Sequence, residues 1–104
     1  MIINTTFAID RPITEQWLTW MRMAYIPEAT GMGNLSSPVL TRIITDHTAG
    51  EGDADSYALQ LRAESATDVD RWLSTLQPDL LNRMAGRWGS KALYFNTLME
   101  EVAI

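Results

Sequence analysis

Cysteine is absent from this chain, and histidine occurs once, at His47. Without cysteine the chain can form no disulfide, no thiolate nucleophile and no cysteine-ligated zinc or iron–sulfur centre. A single histidine also excludes a metal site built from several imidazoles. We therefore expect no cofactor and no bound metal. A small domain without disulfides is typical of the cytoplasm, which is the location that we predict.

Positive charge and long apolar runs are scarce as well. Eight basic and thirteen acidic residues give a net charge of −5, whereas nucleic acid and anionic membrane attract clustered positive charge. The longest apolar runs, 23–26 and 92–95, are far shorter than the roughly 20 residues that span a bilayer. The N-terminus lacks the basic and apolar regions of a signal peptide. We expect neither a nucleic-acid partner nor a membrane partner.

What the chain does contain is enough apolar sequence for one folded domain over residues 1–104. Its hydrophobic content is 46% and its charged content 20% of 104 residues, which is ordinary for a globular protein. The densest apolar stretch is W-L-T-W-M-R-M-A-Y-I-P at 17–27. Helical spacing predicts a helix from Ile13 to Tyr25, ended by Pro27. Its apolar face would consist of Ile13, Trp17, Trp20, Met21 and Ala24.

Four other segments complete the pattern of elements. Residues 2–10 alternate in polarity and predict a strand, and 35–46 predict a second, in which Pro38 indicates an edge position or a bulge. Residues 57–64 and 91–102 predict the third and fourth strands. Between 45 and 56 lies an acidic, glycine-bearing stretch typical of a hairpin loop. A second helix would start after a cap at Ser65 or Thr67 and would bend or restart at Pro78.

The order β-α-β-β-α-β is that of a ferredoxin-like α+β sandwich. Two helices would cover one face of a four-stranded antiparallel sheet. The alternation places Asn4, Thr6, Gln60 and Arg62 among apolar residues on the other, open face. A half-polar open face in so small a domain favours a homodimer formed through that face.

Four blocks of the sequence are distinctive when taken together: W-L-T-W-M at 17–21, Y-I-P-E at 25–28, Y-A-L-Q at 57–60 with A-E-S at 63–65, and F-N-T-L at 95–98. With these blocks the chain resembles a small bacterial family of unknown function in the dimeric α/β barrel superfamily. The resemblance implies a ferredoxin-like protomer that pairs its sheet with that of a second subunit. It implies no single activity, since the superfamily includes cofactor-independent monooxygenases, isomerases, haem enzymes and amino-acid-sensing domains. Where the family leads us to expect a histidine, this chain has Tyr25.

Aromatic residues supply the one candidate ligand site. Trp17, Trp20, Tyr25 and Tyr94 could line a flat apolar cleft between helix and sheet, with Arg42, Asn4 or Asn96 orienting a ligand. Aromatic side chains between a helix and a sheet more often form the core, and that interpretation carries more weight. Arg42 and Arg62 could bind a carboxylate, although pairing with acidic side chains is the more common role of such arginines.

Three functional hypotheses remain. The preferred one is a dimeric module of unknown function that has no catalytic constellation and binds a small ligand. The second is a cofactor-independent monooxygenase-like or isomerase-like enzyme acting on a hydrophobic ring in the helix–sheet cleft. The third is a partner-binding module that uses the acidic loop 46–55. His47 and the acids of that loop are more typical of a solvated hairpin than of a base or a calcium site.

Overall fold

A four-stranded antiparallel sheet is the base of the fold in the computed structural model, which describes residues 1–44 and 54–104. The strands lie in the order β2-β3-β1-β4. The helices and strands, in chain order, are β1 (Ile2–Asp10), α1 (Thr14–Trp20), α2 (Ile26–Thr30), β2 (Ser36–Arg42), β3 (Ala54–Arg62), α3 (Ala66–Arg71), α4 (Gln77–Trp88) and β4 (Ala92–Met99). Short 3-10 turns, Arg11–Ile13 and Gly89–Lys91, precede α1 and β4.

The central strand β1 shows why the alternation in the sequence predicts the sheet. Ile3, Thr5, Phe7 and Ile9 are buried, and the residues between them are only partly covered. Successive side chains of a strand point to opposite faces, so one face of β1 packs into the core and the other stays open. Because both neighbours pair with β1 over nearly its full length, the strand boundaries predicted for 2–10 are confirmed.

All the helices pack on the same face of the sheet, as predicted. Their buried side chains, among them Trp17 and Trp72, form one cluster with the inward residues of β1 and β3. Aromatic rings dominate this core: the centroid of Phe7 lies 5.0 Å from that of Trp17 and 5.8 Å from that of Tyr25. Edge-on and tilted contacts of this kind stabilise a core beyond the area that they bury. The predicted ferredoxin-like α+β fold is confirmed.

Pro27 does not end the first helix, and this prediction from the sequence was wrong. A π-turn (Met21–Tyr25) joins α1 to α2, and the Ile26 N–H donates to the Met21 carbonyl, five residues back. Proline has no N–H with which to continue the α-helical ladder. The wider i→i+5 turn accommodates the missing N–H, so the chain stays helical over residues 14–30. We call these residues the first helical rod.

The second helical rod, residues 66–88, passes its proline in the same way. A second π-turn (Trp72–Leu76) precedes Pro78, and the Gln77 N–H donates to the Trp72 carbonyl. The rod begins at the predicted cap, where Ser65 accepts a hydrogen bond from the Asp68 N–H at 3.1 Å. The sequence predicted a bend or a restart of the helix at Pro78. In the structure this irregularity is a π-turn.

The remaining differences concern strand ends. β2 spans 36–42, whereas 35–46 was predicted, and the last two of those predicted residues lie outside the described ones. β3 spans 54–62 instead of 57–64, and β4 spans 92–99 instead of 91–102. Strand β2 lies at the sheet edge and has an irregular register between Ser36 and Val39, so both predicted consequences of Pro38 are present. Within the described residues, no helix is long and apolar enough to cross a membrane.

Candidate functional site

Four polar side chains meet between the helical rods and the sheet, in the interior of the protein. Thr5 comes from β1, Tyr25 from the first π-turn, Gln77 from the start of α4 and Asn96 from β4. Thr5, Tyr25 and Gln77 have 1%, 0% and 2% of their surface exposed, whereas Asn96 on the edge strand reaches solvent. We call this group the polar cluster. It links both helical rods to two strands.

Hydrogen bonds join all four members of the polar cluster. The Gln77 Nε2 donates to the Tyr25 hydroxyl at 3.0 Å and lies 3.0 Å from the Asn96 Oδ1 and 3.2 Å from the Thr5 Oγ1. The Asn96 Nδ2 donates to the Gln77 Oε1 at 2.8 Å, and the Thr5 hydroxyl donates to the Asn96 Oδ1 at 2.7 Å. Gln77 is therefore the hub, because its amide contacts each of the other three side chains.

The Tyr25 hydroxyl is held in its neutral form. Burial raises the pKa of Tyr25 to about 12, and the hydrogen bonds with Gln77 and Thr5 offset only part of that effect. A phenol with such a pKa is neither a general base nor a ready proton donor near neutral pH. Tyr25 thus acts as a hydrogen-bonding group that positions Gln77.

The two π-turns explain how Tyr25 and Gln77 come to face each other. Every fourth residue of the first rod from Ile13 to Ala29 is buried, and Tyr25 belongs to this row in place of the predicted Ala24. A regular α-helix would rotate such a row steadily away from the sheet, whereas a π-turn resets the rotation. Gln77 follows the second π-turn directly and enters the core in the same way.

Sequence reasoning named Tyr25 and Asn96 but missed Thr5 and Gln77. The signal for Thr5 was present, since it occupies an inward position of β1 between Ile3 and Phe7. A polar residue on an apolar face requires a buried partner. No signal in the sequence indicated Gln77. A uniform helical period predicts the wrong set of inward-facing residues after a π-turn.

Trp17 and Trp20, both predicted to line a cleft, have different environments. Trp17 is fully buried and packs on Phe7 and on Tyr57, with centroid separations of 5.0 and 5.2 Å. Trp20 is half-buried and contacts Tyr25 at 5.7 Å. The structure therefore brings Trp20 and Tyr25 together. A ligand beside Trp17 would have to displace core side chains.

Arg42 and Tyr94, the other two predicted ligand-binding residues, lie on opposite edges of the sheet. Arg42 is on β2 and exposed, and Tyr94 is on β4 with 47% of its surface exposed. Two strands, β3 and β1, separate them. Within one protomer the sheet therefore separates these two residues by about 14 Å, the span of four adjacent strands.

The face of the sheet opposite the rods is the second region that could carry a function. Apart from Ile2, its two central strands present small or polar side chains, and its edges carry exposed apolar ones. The exposed fraction is 51% for Val39 on β2, 57% for Leu93 and 61% for Phe95 on β4. The predicted residues Asn4, Thr6, Gln60 and Arg62 all lie on this open face. An exposed apolar surface of this kind commonly marks an interaction site.

No group of three or more metal-ligating side chains occurs in residues 1–44 and 54–104. His47 and all but the last two residues of the acidic loop 46–55 lie outside the described residues. The final acid of that loop, Asp55, is 3.5 Å from the Arg11 guanidinium and accepts a hydrogen bond from Thr14 at 3.3 Å. In this part of the chain, Asp55 thus connects the end of the sheet to α1.

Comparison with known proteins adds a family and a fold. The model of a family described as a domain of unknown function, DUF4286, matches residues 1–102. Among solved structures, an ethyl tert-butyl ether D (EthD) family protein from Bacillus halodurans is similar, with a TM-score of 0.61 and 12% sequence identity. The match covers 96% of this chain and 100% of that one. No curated protein matches the chain. At this identity the structural likeness supports the ferredoxin-like fold alone.

Proposed function

Because the chain belongs to the DUF4286 family, whose function is unknown, we propose its function from the geometry: a homodimeric module that binds a small ligand and pairs through its open sheet face. The observation that carries this proposal is the exposure of Leu93 and Phe95 on that face. These large apolar side chains border a centre of small residues. Covering them would remove apolar surface from water, which is the main driving force for association.

Charge restricts the surface through which a second copy of the chain can bind. The protein carries a net charge of −5, so two copies repel each other over most of their surfaces. On the open face, Asp10 and Arg62 lie at strand ends, and Arg62 forms an ion pair with Glu101. The centre of the face is uncharged, and two copies meet there with the least repulsion.

The fold similarity supports the same arrangement. The EthD-family protein shares the protomer fold over its full length, and the sequence independently resembles the dimeric α/β barrel superfamily. A two-fold dimer uses the same patch on both subunits, and the open face is such a patch. A catalytic role has less support, since in the described residues the helix–sheet interior is filled by packed rings and by a polar cluster without a titrating group near neutral pH.

Sedimentation velocity tests the dimer directly. We expect wild-type protein to sediment as a dimer at micromolar concentration. Phe95→Lys places a charge in the proposed interface and should raise the dissociation constant at least about 100-fold, or about 2.7 kcal/mol.

Met23→Lys is the matched control, because Met23 is 76% exposed and lies on the first helical rod, away from the open face. This variant should remain as dimeric as wild type. A wild-type protein that is monomeric throughout the micromolar range, or a Phe95→Lys variant that still dimerises, would refute the proposed interface.

A further inference from the structure

A pocket of about 280 Å³ lies on the open face, next to the edge strand β4. Its lining consists of Thr6, Ala8, Ser56, Leu93, Tyr94 and Phe95. We propose that this pocket binds a neutral one- or two-ring compound that carries a carbonyl oxygen, at the interface between two copies of the chain. The inference rests on the proposed dimer, and it assigns the ligand site to the open face instead of the helix–sheet cleft.

Hydroxyl groups determine the polar part of this ligand. The Asn4 Nδ2 donates a hydrogen bond to the Thr6 Oγ1 at 3.2 Å. This bond uses one of the two lone pairs of the Thr6 oxygen and does not involve the hydroxyl hydrogen of Thr6, which can therefore donate into the pocket. Ser56, on the neighbouring strand and paired with Ala8, adds a second hydroxyl to the lining. Two such donors fit a ligand that presents an acceptor oxygen.

The walls determine the apolar part. Phe95 and Leu93 of β4 line one side of the pocket, and the small side chain of Ala8 on β1 lies at its base. Small-molecule sites combine apolar walls with a few polar groups that fix orientation, and typical volumes begin near 300 Å³. The volume here therefore fits one or two rings rather than a larger molecule.

The charge of the surroundings disfavours an acid. None of the six lining residues carries a charge at neutral pH. The nearest charged residue along β1 on the same face is Asp10, two residues beyond Ala8 and therefore about 7 Å along the strand. Its carboxylate would repel an anionic ligand, while Arg62 at the other end of the face is already paired with Glu101. A neutral ligand is the one that this environment accepts.

The second copy completes the site. In one protomer the pocket opens away from the sheet, into the space that the partner's open face would occupy in the proposed dimer. A ligand held between the two sheets loses contact with water on both sides. Ligand binding and dimerisation are then thermodynamically linked, so that a ligand raises the apparent stability of the dimer.

Titration calorimetry with three related compounds tests the ligand class. The probe is 1-tetralone, a two-ring ketone. Tetralin has the same rings without the oxygen, and 1,2,3,4-tetrahydro-1-naphthoate has the same rings with a carboxylate in place of the ketone. We expect 1-tetralone to bind at least 10-fold more tightly than either of the other two. Equal affinities for 1-tetralone and tetralin, or no binding of 1-tetralone at millimolar concentration, would overturn the proposal.

Three substitutions locate the site. Thr6→Val keeps the shape of the side chain but removes the donor and should weaken 1-tetralone binding 5- to 10-fold, and Ala8→Leu fills the floor and should abolish binding. Thr97→Val is the control, because Thr97 lies on the open face opposite Asn4 but outside the lining. Its affinity should equal that of wild type. Unchanged affinity in both Thr6→Val and Ala8→Leu would refute the assignment of the ligand to this pocket.

Sedimentation of the same samples separates the two proposals. A dimer that binds no 1-tetralone overturns the ligand inference and leaves the dimer in place. A monomer that binds 1-tetralone with sensitivity to Thr6→Val supports the pocket and overturns the dimer.

Discussion

Phe7 and Phe95 are the only two phenylalanines in the chain, and they lie on opposite faces of one sheet. Phe7 on β1 is fully buried beneath the helical rods, and Phe95 on the adjacent strand β4 is 61% exposed. The covered face completes its packing within one chain. The open face has side chains of the same kind and leaves them exposed within one chain.

The two faces also treat polar groups differently. On the covered face Thr5, Gln77 and Tyr25 are buried, and each forms a hydrogen bond with another member of the polar cluster. On the open face Asn4, Thr6 and Gln60 are partly or fully exposed to solvent. A buried polar group must find its partner within the protein, whereas an exposed one can exchange partners with water. The covered face therefore contributes to folding through hydrogen bonds within the chain, and the open face carries the proposed interface.

The largest expected difference between the two faces is in the free energy of unfolding when the same substitution is made on each. Phe7→Ala should lower the free energy of unfolding by about 3–5 kcal/mol, because it leaves a cavity among Trp17 and Tyr25. Phe95→Ala, measured at a concentration where the protein sediments as a monomer, should lower it by less than about 1 kcal/mol. Urea denaturation gives both values. Similar losses for the two variants would contradict the distinction between the faces.

A second pair of substitutions compares two glutamines. Gln77→Leu removes the hub of the polar cluster and leaves Tyr25 and Thr5 without its amide, so we expect a loss of about 2–4 kcal/mol. Gln60→Leu changes an exposed residue of the open face and should alter stability by about 0.5 kcal/mol at most. Thermal unfolding followed by circular dichroism is sufficient to measure this difference. A Gln77→Leu protein as stable as wild type would show that the cluster does not contribute.

The smallest expected effect is a loss of stability at alkaline pH. The folded pKa of Tyr25, about 12, exceeds the ordinary value of 10.0. Above pH 10 the unfolded chain therefore releases the phenolic proton before the folded protein does. The stabilising contribution is fully present below pH 10 and is lost as pH rises to 12, a loss of about 2–3 kcal/mol for a shift of this size.

The stability of wild type minus that of Tyr25→Phe isolates this contribution, since all other titrating groups cancel in the difference. This difference should decrease between pH 10 and pH 12. Thr97→Val is the control, because it removes no titrating group and lies on the open face, and this variant should show the same alkaline loss as wild type. A constant difference between wild type and Tyr25→Phe across this range would contradict the raised pKa.

The local pattern of the sequence by itself determined the fold class. Period-two alternation in 2–10 defines both faces of β1, and helical spacing around Trp17 defines a rod that must cover one of them. Ser65 or Thr67 marks the start of the second rod, and Pro38 marks an edge strand or a bulge. The half-polar open face follows from the same alternation, because each side chain of a strand has its face set by its neighbours.

Only the tertiary structure decided the functional geometry. Thr5, Tyr25, Gln77 and Asn96 come from four distant segments, and no local pattern could show that they meet. The π-turns decided which helix positions face inward, because a turn that accommodates a proline changes the phase of the helix. The structure also separated Arg42 from Tyr94 and placed a pocket beside Phe95, since these relations depend on the order of the strands rather than on the residues within each strand.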